Sequence, residues 1–378
     1  MQIILLGLFT FFLGIGSGAI YSNSVPSDVT IFPISLDQKQ ENRKQEVIGF
    51  LPYWLLNFAR DSYKGSLTNL SYFSLTIDED GTIQKKVNLQ EEEPGWTTLK
   101  KETVKERFRK AKQDGLSTSL TVFASTESHI DTLLSDPVHH AQNLVNDITP
   151  IMKEFSFTDL NLDIESVVEA SASSQQQFTD FARTLKNGLT ANNLGTLTVD
   201  MTVMSLFQTQ RMNPRDIADI SDRVILMTYD YHYAGSHLAG PVSPLEGADT
   251  ERFNDVTVSI RKALEFIPKE KLLLGIPLYG YEWEVLGSEP GSPVIPRTGK
   301  TASDRRVEEL LYDCEECITG RDKSGDEPYV IFPDDSFFHQ IYYTDEISLE
   351  KKHQLAKELG IAGVAYWAMG YEGKKTLE

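Results

Sequence analysis

From residue 47 onward, short apolar, β-prone runs alternate with amphipathic stretches of helical length. The runs lie at 47–54, 70–77, 117–124, 158–165, 194–203, 223–229, 272–278 and 361–367. Helical periodicity occupies 104–114, 137–155, 175–189, 253–266 and 349–359. This alternation predicts parallel βαβ units, and eight such strands in one chain predict an α/β fold, the (β/α)8 TIM barrel. A doubly wound open sheet is the competing architecture, but no predicted strand is followed by the glycine-rich phosphate loop it would need. The interval from the seventh to the eighth strand is too long for one crossover and predicts a small insertion subdomain at about 281–348.

The pattern before residue 47 is different. Residues 1–20 carry no charged side chain and end near the small residues Gly16-Ser17-Gly18-Ala19, so they read as a signal peptide, with an uncleaved N-terminal membrane anchor as the alternative. Either reading sends the remainder out of the cell, to a secreted or cell-envelope location. Residues 21–45 are polar and uneven, with Pro26 and Pro33, and read as a linker; 46–378 is the predicted barrel.

Composition narrows the function. Of 378 residues, 40% are hydrophobic and 24% charged, which is ordinary for a globular protein. Fifty-five acidic against 36 basic residues give a net charge of −19, which repels phosphate backbones and anionic lipid; nucleic acid is not an expected partner.

The most informative stretch is Phe157-Thr158-Asp159-Leu160-Asn161-Leu162-Asp163-Ile164-Glu165. On a strand, Leu160, Leu162 and Ile164 share one face while Asn161, Asp163 and Glu165 share the other. In a barrel that second face is the interior, where Val, Ile and Leu normally pack. Burying two carboxylates there without partners costs several kcal/mol, an expense more readily understood at an active site at the strand's C-terminal end. A half-exposed strand with a polar outer face is the alternative. Carboxylates two apart on a strand have Cβ atoms about 6 to 7 Å apart, close enough for one to raise the other's pKa. A proton kept on Glu165 beside Asp163 suits a general acid that protonates a leaving oxygen, as glycoside cleavage requires.

Leu160-Asn161-Leu162-Asp163-Ile164-Glu165 resembles the strand-four motif of glycoside hydrolase family 18. Met227-Thr228-Tyr229-Asp230 resembles the family's strand-six motif, Leu274-Gly275-Ile276-Pro277-Leu278-Tyr279-Gly280 its strand seven, and Gly363-Val364-Ala365-Tyr366-Trp367 its strand eight. The segment from Tyr229 to Pro244, together with Asn161 where chitinases more often carry a second Asp, resembles the bacterial cell-wall and spore-cortex N-acetylglucosaminidase branch. Two features depart from the pattern. Thr158-Asp159 stands where Asp-Gly is usual, which is expected to loosen the turn into strand four. Little sequence follows Gly370, so a minimal barrel without an eighth helix is expected.

The resemblance implies Glu165 as general acid, Asp163 as the residue orienting the substrate's 2-acetamido group, and Tyr229 as a hydroxyl that bonds that amide. The acetamido oxygen would then be the nucleophile, the substrate-assisted exception among two-carboxylate glycosidases. Trp367 would floor the sugar subsite, and Asn161, Met227, Asp230, Tyr53 and Tyr279 would contribute to substrate binding. On a regular strand Asp230 faces away from Tyr229, so a supporting partner and a strand-end turn residue are both open. Trp54, Trp283 and Tyr343 are open between lining the sugar cleft and packing at strand ends, and no binding role is assigned to them.

The two cysteines form Cys314-Glu315-Glu316-Cys317; a local disulfide is the favoured reading in an exported chain, with redox or metal use as alternatives. The seven histidines show no metal-ligand spacing, and neither metal nor cofactor is inferred. The expectation is a monomeric, exported glycosidase retaining anomeric configuration on β-linked N-acetylglucosamine polymers, peptidoglycan ahead of chitin. The alternatives are a chitinase or chitooligosaccharidase, a catalytically silent carbohydrate-binding protein on the same barrel, and a wall or coat scaffold.

Overall fold

The computed structural model describes residues 45–247, 255–334, 337–374 and 376–377. The signal and nearly all of the linker expected at 1–20 and 21–45 lie outside the described residues. Seven strands come first: β1 (Glu46–Pro52), β2 (Asn69–Thr76), β3 (Ser117–Ala124), β4 (Asp159–Ile164), β5 (Thr196–Thr202), β6 (Arg223–Met227) and β7 (Leu272–Pro277). The insertion contributes β8 (Tyr279–Val285), β9 (Lys300–Ser303), β10 (Ile318–Arg321), β11 (Pro328–Asp334) and β12 (Phe337–Tyr342), and β13 (Gly363–Trp367) follows. Strands β1 to β7 and β13 form a closed parallel barrel in the order β1-β13-β7-β6-β5-β4-β3-β2, so all eight predicted strands are present and pair as a (β/α)8 barrel requires.

Strand alternation explains the two faces. Leu160, Leu162 and Ile164 of β4 and Leu197, Val199 and Met201 of β5 point outward into one core cluster with Leu144, Ile148, Phe178 and Leu185 of the surrounding helices. Each such fully buried aliphatic side chain contributes roughly 1.5–3 kcal/mol. The interior has two characters. On the β1, β6, β7 and β13 side it is apolar, with Ile48, Phe50, Ile225, Leu273 and Ala365 in a second cluster. From β2 to β5 its lower part is polar and internally bonded, with Ser119 Oγ donating to Asn69 Oδ1 at 2.8 Å and the Ser71 and Thr121 hydroxyls meeting at 2.9 Å, while Phe73 higher on β2 joins the apolar cluster and Phe123 of β3 packs against it. Small polar residues there leave room for the carboxylates above them.

The helices Pro137–Phe155 and Ala172–Ala191 are capped by Asp136 and Ser171, whose side chains accept from the His139 and Ser174 amides. The expected helices at 104–114, 253–266 and 349–359 are Glu102–Gln113, Val256–Ala263 and Glu346–Leu359. Four shorter ones, Pro94–Leu99, Glu127–Ser135, Pro214–Ile220 and Asp304–Asp313, escaped the periodicity reading. They are 6 to 10 residues long, too few turns for a 3.6-residue repeat to stand out.

The turn into β4 is tied rather than loosened. Buried Asp159 accepts from the Thr196 and Thr198 hydroxyls at 2.5 and 3.0 Å and lies 3.7 Å from Arg223, which bonds Glu46 at 2.6 Å. The insertion is an antiparallel sheet in the order β10-β11-β12-β8-β9, and it begins with Tyr279 rather than at 281. Buried Glu327 fastens it to the barrel: it accepts from the Val242 and Ser243 amides at 2.7 and 3.0 Å and from Lys352 Nζ at 3.0 Å. Cys314 and Cys317 are joined as a disulfide just past the helix Asp304–Asp313. Among the described residues no helix follows β13; instead Tyr371 and Leu377 pack against the core cluster, and Glu372 accepts from Tyr63 at 2.6 Å. No helix of the described residues is long and apolar enough to cross a membrane.

Candidate active site

The C-terminal mouth of the barrel holds a cleft of about 300 Å³, the end of a parallel barrel where catalytic groups gather. Asp163, Glu165, Tyr229, Asp230, Met227, Tyr53, Tyr279 and Trp367 all line it. Asn161 lies one inward step below Asp163, 2% exposed, and its Nδ2 donates to Asp200 Oδ1 at 2.8 Å.

β4 presents Asn161 and Asp163 inward, and the Glu165 amide continues its ladder by donating to Ala124 O at 2.8 Å, which keeps Glu165 on the same face. Asp163 is 3% exposed, and its Oδ1 is a buried acceptor with no donor among the described residues. Burial, then Asp200, then Glu165 hold the Asp163 carboxyl well above the usual carboxylate range. Burial and then the Asp230 carboxylate raise Glu165 above the usual glutamate range, toward its protonated form.

β6 sets Ile225 and Met227 inward, and Tyr229 keeps that parity two residues past the strand's end. Its half-buried phenol lies beside Asp200, Asp163, Glu165 and Asp230, and desolvation first, then those charges, push its ionisation well above ordinary tyrosine. Gly275 of β7 makes the space: a Cβ there would lie 2.7 Å from Leu226 O and 3.1 Å from Tyr229 Cε1. Asp230 does not face away as on a regular strand. Its backbone turns to φ 60°, in the left-handed region open to aspartate, and its carboxylate enters the cleft to accept from Tyr279 at 2.5 Å and Tyr281 at 3.1 Å. It is therefore both a turn residue and a bonded partner.

Aromatic rings form the floor and one wall. Trp367 packs edge-on to Phe73 at 4.5 Å between centroids, with Phe50 at 6.0 Å and Trp54 at 6.4 Å; Tyr53 meets Trp54 at 4.8 Å. Trp54 thus belongs to the cleft, whereas Trp283 is fully buried in the insertion and bonds Tyr233 O.

Sequence reasoning missed Asp200, Glu93, Phe73 and Phe123, all in the cleft wall. Asp200 carried a usable signal: it is the one charged residue in the apolar run 194–203 and shares its parity with Thr198. Glu93 also caps the helix Pro94–Leu99, accepting from the Trp96 amide at 2.5 Å, which a strand-based reading does not detect. Among the described residues no group of three or more His, Cys, Asp or Glu could hold a metal ion.

The pattern describing glycosyl hydrolases family 18 matches residues 37–372. The cortical fragment-lytic enzyme of Bacillus subtilis is 26% identical over 237 residues, 61% of this chain and 50% of that enzyme. The chain spans about half the length of the first curated relatives it matches. The crystal structure of the Bacillus cereus spore cortex-lytic enzyme SleL superposes with a TM-score of 0.67 at 22% identity, covering 87% of this chain and 72% of that one. A family 18 N-acetylglucosaminidase from Paenibacillus barengoltzii gives 0.69 at 20% identity, covering 88% and 98%. At these identities the structural likeness is one of fold. Because the family pattern runs through the whole barrel and its insertion, the chain belongs to the glycosyl hydrolases of family 18.

Proposed function

We infer that this chain is an exported glycosidase that cleaves β-linked N-acetylglucosamine polymers, peptidoglycan before chitin, with the substrate's own acetamide as nucleophile. One observation carries the reading. Asp163 offers a buried carboxylate oxygen with no donor beside it, one inward step below a Glu165 held toward its protonated form. An acetamide N–H is the donor that oxygen lacks, and a leaving glycosidic oxygen is the acceptor for the Glu165 proton.

In the derived sequence, Trp367 stacks beneath the sugar and Asp163 takes the amide N–H, so that the acetamide oxygen points at the anomeric carbon. The Tyr229 hydroxyl, whose ionisation is pushed up by desolvation and the surrounding carboxylates, donates to that group, and Glu165 gives its proton to the departing oxygen. The bond from anomeric carbon to leaving group breaks as that from acetamide oxygen forms. Water, deprotonated by the resulting Glu165 carboxylate, then opens the cyclic intermediate with a second inversion, hence net retention. Names of relatives, among them a cortical fragment-lytic enzyme and a spore cortex-lytic enzyme, support a wall glycan over chitin.

Mass spectrometry of products from purified peptidoglycan and from chitin oligosaccharides tests the reading. Cleavage beside N-acetylglucosamine in the former supports it, and release from neither substrate refutes it. Glu165→Gln should lower turnover by about 10²-fold or more while glycan pull-down persists. Retained turnover would favour a different acid, whereas a parent that only binds glycan would favour the silent carbohydrate-binding alternative.

A further inference from the structure

Asp200 has no role in the mechanism just given, yet it stands inside it. Leu197, Val199 and Met201 of β5 face the helices, so Thr198 and Asp200 face the interior. Pairing sets Asn161 of β4 opposite Thr198 and ends with Leu162 opposite Val199. The next rung brings Asp163 abreast of Asp200 at the strand spacing of about 4.8 Å. Both are buried, at 3% and 4% exposure. One oxygen of each is accounted for differently: Asp200 Oδ1 accepts from Asn161 Nδ2 at 2.8 Å, while Asp163 Oδ1 has no donor among the described residues.

Two buried carboxylates abreast do not both ionise near neutral pH unless a cation joins them. Here the neighbours are of the same sign. Asp159, Asp163 and Glu165 face Asp200 from β4 and beyond its end, and Tyr229 from beyond β6, with Asp230 in the same cleft, while Arg223 is engaged with Glu46 and Asp159 at the barrel's base.

We propose that Asp200 keeps a proton on its Oδ2 and donates it to Asp163 Oδ2, which leaves Asp163 Oδ1 for the substrate's amide N–H and makes Asp200 the positioning residue that aims the acetamide-orienting carboxylate. Asn161 selects the oxygen: by occupying Oδ1 as a donor it leaves Oδ2 as the protonated position. No bond to Asp200 breaks during turnover, and its proton stays in place while Asp163 accepts the amide N–H of the substrate. Burial and like charge raise both carboxyls, in the direction this arrangement requires. The mechanistic half of the inference rests on the substrate-assisted reading above; the proton sharing does not.

The test uses the full chain with ¹³C-labelled aspartate carboxyl groups, titrated by NMR from about pH 3 to about pH 10, with Asp163→Asn identifying the Asp163 resonance. Asp163 should show two inflections separated by more than about two units, since the steps belong to the pair, and Asp200→Asn should leave one. A single inflection in the parent, or both persisting in Asp200→Asn, overturns the proposal whether or not the protein proves to be a glycosidase.

Kinetics supplies the second reading. Asp200→Ala should lower kcat by about tenfold or more with KM within about twofold. Asp200→Asn, whose amide replaces the O–H donor, should recover at least about fivefold of that loss and shift the alkaline limb of the kcat–pH profile upward by about one unit. An Asp200→Asn variant no better than Asp200→Ala, or with the parent's pH profile, overturns it. If the parent cleaves no N-acetylglucosamine glycan, the proposed function fails and the carbon titration still decides the proton sharing.

Discussion

Lys352→Met should destabilise the fold by about 3 kcal/mol, because it strips the cation from a carboxylate that water cannot reach. Lys352 and Glu327 are 1% and 0% exposed and bond at 3.0 Å. Removing one member of a buried pair generally costs about 3–5 kcal/mol, since the remaining charge is left in low dielectric. Glu327 keeps two amide donors, Val242 N at 2.7 Å and Ser243 N at 3.0 Å, which puts the expectation at the lower end. Methionine fills much the same channel, so cavity formation adds little. With an unfolding entropy of about 2.1 cal/mol/K per residue, a barrel of this size melts about 4 °C lower for 3 kcal/mol. Calorimetry on parent, single variant and Lys352→Met/Glu327→Gln measures this. The double variant should regain at least half the loss, because no charge is then orphaned. A single variant within about 1 °C of the parent, or a double variant no more stable than the single, would refute the charge argument. The consequence reaches the cleft: Ser243 Oγ donates to Thr228 O at 2.7 Å, immediately before Tyr229, so turnover should fall along with stability.

Three further outcomes follow from local replacements. Burial, opposed by Thr196, Arg223 and Thr198, pushes Asp159 up to about 7. Against about 3.9 in the unfolded chain, the native state holds an extra proton, so its contribution is complete below about pH 4 and lost as pH rises to about 7, by at most about 4 kcal/mol. Asp159→Asn should therefore flatten the fall in urea midpoint between about pH 4 and about pH 7, and an unchanged slope would contradict this. Gly275→Ala should reduce kcat/KM by about tenfold or more, at a stability cost of about 1–3 kcal/mol, because its methyl displaces Tyr229; parent-like kinetics would show that the ring has other room. Replacing Cys314 and Cys317 by serine should leave turnover intact, since the bridge closes a loop of sequence separation 3 far along the insertion; a folded but inactive variant would give the bridge a functional part.

Much of this architecture is legible in the chain because a parallel barrel strand is apolar toward its helices at every second residue. The run at 117–124 matches β3 end to end, and 158–165 brackets β4 by one residue on each side. The same alternation isolates Asn161, Asp163 and Glu165, since three polar residues in phase are conspicuous against Leu160, Leu162 and Ile164. Asp200 escaped because its signal, one acidic residue in an apolar run, is weak beside three polar residues in phase; the register against β4 gives it its meaning. Asp230 is named by the sequence but its direction is not, since alternation was extended beyond Met227, where the backbone had already left the strand. Glu93 and Phe123 reach the cleft from a loop and from a strand read as core, and their convergence depends on barrel closure.

The central claim is that the acetamide of the substrate, aimed by Asp163 and driven by the Glu165 proton, attacks the anomeric carbon. Proton NMR of the first-formed anomer from a β-linked N-acetylglucosamine oligosaccharide, run beside its 2-deacetylated analogue, tests it directly. The account predicts the β anomer first and no appreciable cleavage of the analogue, since both follow from one nucleophile. An α anomer formed first would require water activated on the opposite face. Comparable cleavage of both substrates would require a nucleophile from the protein, and either result would contradict the mechanism.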